Sequence, residues 1–286
     1  MNDPPIRHVS DTALWVAMYR AFESERPDAI FRDPYARRLA GERGAEIVRS
    51  LPRAKALAWP MIVRTAVMDE ILLRHVGLGV RTVVNFAAGL DTRAYRLALP
   101  DELRWFDVDL PDMIAYRREH LAEATPTCAH ENVVANLADS AERASVLARV
   151  GAAGPAMVIT EGLLVYLTSE QVTAIALDVH AVPAVRWWLT DLATPLLLQI
   201  LSRSWQPQLA AANAPMQFAP ADGKTFFASL GWREAEFRSV WDESRTLKRS
   251  VRLAWLWHLL GRLRPKAVRE AYRRMSGIVL LEREPV

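Results

Sequence analysis

The feature that most constrains this chain is a change of hydrophobic period near residue 80. Beyond it, short apolar and β-branched runs alternate with helical stretches. Arg81–Ala88, Leu103–Leu110, Asn132–Leu137, Ala156–Thr160 and Val185–Leu192 read as strands. Pro111–Ala124, Ser140–Val150 and Ser169–His180 read as helices between them. Two further strand candidates, Phe237–Asp242 and Ile278–Glu282, lie near the end. Strands joined through helices are parallel, and a parallel sheet needs helices on both faces. The predicted fold is therefore α/β, a Rossmann-like, mostly parallel seven-stranded sheet with helices on both faces.

Upstream of the change the pattern is helical. Ala13, Val16, Ala17 and Ala21 recur at helical intervals, and Ser10 or Asp11 can cap the first turn. Tyr35–Val48 predicts a second helix, ending near Pro52. Pro60 opens a third, from Met61 to about Val76, stopped by Gly77 and Gly79. Thr194–Ala221, rich in Leu, Gln and Ala, reads as an inserted helical lid. The expected organisation is a single domain: helical cap 1–78, core 79–193, lid 194–221, and the C-terminal part of the core 222–286.

Composition matters mainly for what it excludes. Hydrophobic residues make up 51% and charged residues 24%, so disorder as the main state is ruled out. The lone cysteine, Cys128, excludes an intramolecular disulfide framework and a Cys-based zinc cluster, and fits a cytoplasmic protein. No metal-ligand spacing is readable among the six histidines. Met1–Ser10 is polar, without an apolar signal core, and no run reaches the ~18 apolar residues of a membrane span. Val251–Leu263 is apolar but carries Arg252, His258 and Arg262, which suits a packed amphipathic helix, with a membrane-surface helix as the alternative. Lys and Arg total 36 against 33 Asp and Glu. The Arg37-Arg38, Arg117-Arg118 and Arg262–Arg274 groups are broken by apolar residues and read as solvated helix faces, not a nucleic-acid surface.

In an open parallel sheet, ligands bind beyond the carboxyl ends of the strands where the order reverses. The loop after the first strand carries small residues, Ala87-Ala88-Gly89, which let a ligand approach the backbone. Asp91 or Thr92 can cap the helix that follows. The second strand ends Asp107-Val-Asp109, about 20 residues on, where an acid suits a ribose diol. Both aspartates fall on one face, and Asp109 lies nearer the strand end. Together the loop and the acid favour a nucleoside cofactor. A tight turn and a helix cap before Pro111 are the plain structural alternatives.

The run Val83-Val-Asn-Phe-Ala-Ala-Gly-Leu-Asp-Thr-Arg-Ala-Tyr-Arg-Leu97 resembles the first motif of the leucine carboxyl methyltransferase-like family, class I S-adenosylmethionine-dependent O-methyltransferases. Four other stretches agree, in family order. Arg20–Asp28 with Phe31–Ala36 resembles the N-terminal cap, and Arg64-Thr65 with Met68-Asp69 the helix before the first strand. Phe106–Pro111 resembles the second motif and Thr160–Leu167 the fourth-strand motif. The resemblance runs from about Ala13 to the end and implies S-adenosyl-L-methionine as cofactor. It implies that Arg64 holds the cofactor's methionine carboxylate and that Ala87-Ala88-Gly89 passes under the methionine and ribose. Asp109 would take the ribose hydroxyls, Asn136 and Leu137 would read the adenine, and Glu161 would lie near the amino end. Arg64 pairing with Asp69 or Glu70, and Glu161 capping the next helix, are the structural alternatives.

Two positions depart from the family pattern. Ala87 stands where Gly is usual, so the turn has φ below zero there or carries strain. Asn136 stands where Asp is usual, and its side-chain oxygen still accepts from an amino group. Tyr166, near the end of the fourth strand, is a candidate to orient substrate or simply a packed aromatic. The ten tryptophans, among them Trp187, Trp188, Trp205, Trp255 and Trp257, could line an aromatic pocket or pack the core. The expected function is O-methylation of a small-molecule carboxylate or hydroxyl, with secondary metabolism as the expected setting, by a monomer or homodimer. The alternative is a methyltransferase-like protein that has lost transfer and binds a ligand or assists a partner. A nicotinamide-dependent oxidoreductase is disfavoured, because positions 87, 89 and 92 read Ala, Gly and Thr in place of G-x-G-x-x-G.

Overall fold

The computed structural model describes residues 9–50, 58–151, 154–200, 215–250 and 265–284. Seven strands form one sheet: β1 (Thr82–Phe86), β2 (Arg104–Asp109), β3 (Ala129–Val134), β4 (Ala156–Thr160), β5 (Val185–Ala193), β6 (Trp232–Ser239) and β7 (Ser276–Arg283). Their order is β3-β2-β1-β4-β5-β7-β6. The first five run parallel, and β7 is antiparallel to both β5 and β6. The order moves outward in opposite directions from β1 and β4, so their carboxyl ends border the switch point where ligands bind in such sheets.

Strand periodicity divides the core in two. Val83, Trp105, Met157, Ile159 and Leu189 point to the face covered by α1 (Val9–Ser24) and α3 (Trp59–Gly77). Val84, Phe86, Phe106, Val158 and Trp188 point to the other, covered by α6 (Ser140–Ala148) and α7 (Ser169–His180). The central strands β1 and β4 are buried along their whole length. The tryptophans described inside the sheet are structural. Trp188 and Trp232 are fully buried, and their indoles donate to Thr160 Oγ1 (2.9 Å) and the Ala176 carbonyl (3.1 Å). Trp187 packs edge-on against His75.

Three element boundaries differ from expectation. The third strand is Ala129–Val134 rather than Asn132–Leu137, so Asn136 and Leu137 lie beyond its end. The strand expected over Phe237–Asp242 is Trp232–Ser239, and Val240–Thr246 is helical, capped by Ser239 on the Asp242 amide. The second helix, α2 (Ala36–Ser50), is broken at Gly41, whose φ of 57° leaves the helical region. Residues 195–200, at the start of the expected lid, are helical, and 215–220 follow no regular element. The middle of the lid with Trp205, and the stretch with Trp255 and Trp257, lie outside the described residues. Among the described residues no helix is long and apolar enough to cross a membrane.

Candidate functional site

α3 brings the first site residue. Pro60 starts this helix, and Ile62, Val63, Val67, Met68, Ile71 and Leu72 bury one side of it against the sheet. Arg64 is thereby delivered above the ends of β4 and β5. Its Nε donates to Glu161 Oε1 (2.9 Å) and its Nη1 to Asp191 Oδ2 (3.0 Å). The alternative partners on its own helix are engaged elsewhere, Asp69 by Arg93 and Arg96 and Glu70 by Arg238. Glu161 does not cap α7, which is capped by Thr168 and Gln171 in a reciprocal pair.

The loop after β1 supplies the next layer. Arg93, almost wholly buried, donates from Nε to Asp69 Oδ1 (2.6 Å) and from Nη1 to Asp91 Oδ2 (2.6 Å) and Glu161 Oε2 (2.7 Å). Arg96 grips both oxygens of Asp69, at 2.7 and 2.8 Å. Burial works against the charge on Glu161, but Arg93 and Arg64 outweigh it and hold the carboxyl below its ordinary range. The same opposition, with Arg93 and Arg96 as the cations, lowers Asp91. Asp91 Oδ1 also accepts the Arg93 amide (2.8 Å), the first of the short helix α4 (Arg93–Arg96), whose N-cap residue Thr92 makes no side-chain cap bond and turns its hydroxyl to Asp33 (2.7 Å).

Asp107 and Asp109 have separate roles. Asp107 is buried in an ion pair with Arg117, and it also accepts from His130 Nε2 (2.9 Å), Asn85 Nδ2 (2.9 Å) and Trp105 Nε1 (2.8 Å). It is part of the core. Asp109, partly exposed at the end of β2, accepts the Gly89 amide on Oδ2 (2.7 Å) and the Leu110 amide on Oδ1 (2.8 Å). Burial pushes its pKa up, against the pull of those two amides. Of the two aspartates it is the one that reaches the surface at the strand end.

Ala87 adopts φ +53° and Gly89 +52°. Of the two conformations open to Ala87, the strained one is realised, at a cost of about 1 kcal/mol for a side chain in the left-handed region. Ala87→Gly is accordingly expected to stabilise the protein by roughly 1 kcal/mol and to leave ligand binding equal or better. Thermal unfolding checks this, and a lowered midpoint contradicts it.

The remaining candidates follow the carboxyl ends of β3 and β4. Tyr166 follows β4 in a 3₁₀ turn, its hydroxyl bonded to Thr12 of α1 and close to Arg64 and Asp191. Burial raises its pKa, so it is a hydrogen-bond donor at neutral pH rather than a base. Asn136 is exposed, two residues past β3. Its Oδ1 accepts the Ala138 amide (3.0 Å) and its own amide donates to Glu142 (2.7 Å). The Leu137 carbonyl accepts from Arg143 (2.7 Å). The structure thus gathers Arg64, Glu161 and Tyr166 at the ends of β4 and β5. It places Ala87, Ala88, Gly89 and Asp109 at the ends of β1 and β2, with Asn136 and Leu137 past β3. Sequence reasoning missed Arg93 and Asp191. Asp191 carries a weaker form of Asp109's signal, an acid near the end of a strand that Leu192 and Ala193 still continue; Arg93 carries none that separates it from a surface arginine.

The lowered carboxylates set a pH dependence. Asp91, Asp107 and Glu161 all have folded pKa values below their unfolded ones. Their contribution is fully present above the unfolded carboxylate range of about 4 and is lost as pH falls through the depressed folded values. The unfolding midpoint should therefore hold near neutrality and drop steeply below about pH 4. A midpoint that stays level to pH 3 contradicts these pairings.

A sheet of this order, with the antiparallel β7 inserted between β5 and β6 and its switch point between β1 and β4, is that of an α/β methyltransferase fold. A sequence model of leucine carboxyl methyltransferase matches residues 13–179. The chain belongs to that family. It is 38% identical over 173 residues to a Streptomyces coelicolor protein provisionally named an S-adenosyl-L-methionine-dependent methyltransferase, covering 56% of this chain and 60% of that one. A Frankia alni protein named in the same way is 32% identical over 241 residues, covering 79% of this chain and 83% of that one. The chain thus spans about three fifths of the length of the first of these relatives and most of the second. A crystal structure from Thermobifida fusca, described provisionally as a methyltransferase, shares the fold with a TM-score of 0.60 at 13% identity, over 98% of this chain and 96% of that one.

Proposed function

We propose that this protein transfers a methyl group from S-adenosyl-L-methionine to the oxygen of a small-molecule carboxylate or hydroxyl. The observation that carries the reading is the unused hydrogen-bonding capacity of two side chains at the carboxyl side of the sheet, Asp109 at the end of β2 and Arg64 against Glu161 and Asp191. Asp109 uses two amide bonds of about four lone-pair sites, leaving acceptors for a ribose diol. Arg64 commits two of its five N–H donors to carboxylates, leaving donors for the methionine carboxylate. When bound, the cofactor supplies a methyl already activated by the sulfonium, so the chain's contribution is positioning.

Each residue has a role in that scheme. Asp109 holds the ribose and Arg64 the carboxylate, while Ala87, Ala88 and Gly89 form the floor between them. Asn136 and Leu137 border the adenine. Tyr166 donates a hydrogen bond that orients the acceptor, and Thr12 on α1 fixes its hydroxyl. A carboxylate acceptor needs no general base, since it is already ionised at neutral pH. The buried thiol of Cys128, raised to about 12, is inert and suits a cytoplasmic setting. The test is a screen of small carboxylic acids, phenols and alcohols with methyl-labelled cofactor. Label in an ester or ether supports the reading. Tight cofactor binding with no transfer to any acceptor supports the ligand-binding alternative instead.

A further inference from the structure

We propose that Asp33 and Arg20 are positioning residues for the loop after β1, so that the N-terminal cap and the cofactor loop act as one unit. This rests on the cofactor reading above. Asp33, buried in the turn before α2, uses both carboxylate oxygens. Its Oδ1 accepts the amides of Tyr35 (3.1 Å) and Ala36 (3.0 Å), which fixes it at the start of α2. Its Oδ2 accepts from Arg20 Nε of α1 (2.9 Å) and from the Thr92 hydroxyl (2.7 Å). Arg20 is buried too, and its Nη2 donates to the Leu90 carbonyl (2.5 Å). Two cap side chains therefore hold the loop on either side of Asp91, the acid that meets Arg93.

The loop needs such holding. Ala87 and Gly89 both have positive φ, a conformation that persists in a residue with a side chain only where the surroundings over-determine it. One clamp comes from α5 (Pro111–His120), whose Arg117 Nη1 donates to the carbonyls of Gly89 (2.9 Å) and Asp91 (2.8 Å). The cap supplies the other, on the residues that alternate with them, Leu90 and Thr92. Helix α1 also lies directly on the turn, since a Cβ on Gly89 would sit 3.4 Å from the Ala13 Cβ. The Thr92–Asp33 bond is charge-assisted and out of water, so its loss leaves a buried carboxylate short of one donor. A shift of the loop is felt by the cap, and by reciprocity a ligand that fixes the loop also fixes the cap.

A second buried ion pair in the cap separates positioning from plain support. Arg249, past the helix Val240–Thr246, donates to both oxygens of the buried Glu23 at 2.8 to 3.1 Å. Its other bonds go to Asp28 and to the Lys248 carbonyl, and none reaches the loop after β1 among the described residues. This pair ties the cap to the C-terminal part of the core without touching the site.

The experiment is calorimetry of the whole chain with S-adenosylhomocysteine, with hydrogen exchange read on the same proteins. Thr92→Val keeps the shape and removes the hydroxyl. It should bind about fivefold or more weakly than wild type, and Thr92→Ser should recover most of that loss. Arg249→Met should lower the unfolding midpoint further than Thr92→Val does, yet keep affinity within about twofold of wild type. In wild type the ligand should slow exchange of the Tyr35 and Ala36 amides, and in Thr92→Val it should not. A Thr92→Val variant with wild-type affinity overturns the inference. So does an Arg249→Met variant that weakens binding as much as Thr92→Val, or a wild type whose cap amides exchange at one rate with and without ligand. Wild-type protein that binds no ligand overturns the cofactor reading itself, and the inference with it.

Discussion

Arg93→Met should destabilise the protein by about 3–5 kcal/mol, the cost of removing one partner from a buried ion pair. Arg93 is 2% exposed and touches three carboxylates, Asp69, Asp91 and Glu161, at 2.6 to 2.7 Å. Methionine fills a similar volume, so loss of packing contributes little. What remains is a group of buried anions with fewer cations than the fold supplies. Asp69 keeps Arg96 and Glu161 keeps Arg64, but Asp91 loses its contacting guanidinium. Those anions must then be solvated or protonated. Urea unfolding measures the effect at neutral pH. At pH near 4 the gap between variant and wild type should narrow, since protonation removes the uncompensated charge. A loss below about 1 kcal/mol would mean that water or a rearranged side chain already compensates these acids.

Arg117→Met is expected to cost a similar ~3–5 kcal/mol by the same logic, and to disturb the loop as well. Arg117, on α5 (Pro111–His120), is fully buried and paired with Asp107, whose carboxylate is equally buried. Its Nη1 also donates to the carbonyls of Gly89 (2.9 Å) and Asp91 (2.8 Å), and its Nε to Asn132 (3.2 Å). One side chain therefore ties α5, β2 and β3 to the loop after β1. Removing it leaves Asp107 with neutral donors and a histidine, and leaves two loop carbonyls without their donor. A second replacement, Asp107→Asn in the same chain, should recover part of the loss, because it removes the uncompensated buried charge while the amide oxygen still accepts from Asn85 and Trp105. If the double variant is less stable than the two single losses combined, Asp107 has a role beyond charge balance.

How far the sequence could be read depends on burial. The central strands β1 and β4 are buried throughout and mostly apolar, and their runs mark them to within a residue or two. The misplaced strands, β3 and β6, are the two edges of the sheet. β3 reads Ala-His-Glu-Asn-Val-Val and β6 Trp-Arg-Glu-Ala-Glu-Phe-Arg-Ser, mixing charge and apolar residues because one side of each meets no neighbouring strand. Hydrophobic pattern alone cannot bound such strands. The break in α2 has a local signal, Gly41, that helical spacing around it masks.

The site divides the same way. Asp109 is legible because its place, the end of the second strand, carries a chemical expectation. Arg64 is singled out by family resemblance, since an arginine in a helix has no distinctive spacing. The partners that hold it come from a turn and a strand end about 100 to 130 residues away, at separations of 97 and 127 positions. Such contacts are created by topology, and Asp191 becomes visible as a site residue only when β5 is set beside β4. Ala87 shows the opposite case. Its sequence posed a question about backbone angle, and the folded turn answers it with a positive φ.

The most direct test of the cofactor site is calorimetric titration of the whole chain with S-adenosylmethionine and S-adenosylhomocysteine, alongside Asp109→Ala. Micromolar binding to the wild type is predicted. The variant should bind about tenfold or more weakly, having lost the ribose contacts, with its unfolding midpoint little changed. No binding at millimolar ligand, or an Asp109→Ala variant with unaltered affinity, would contradict the site as drawn.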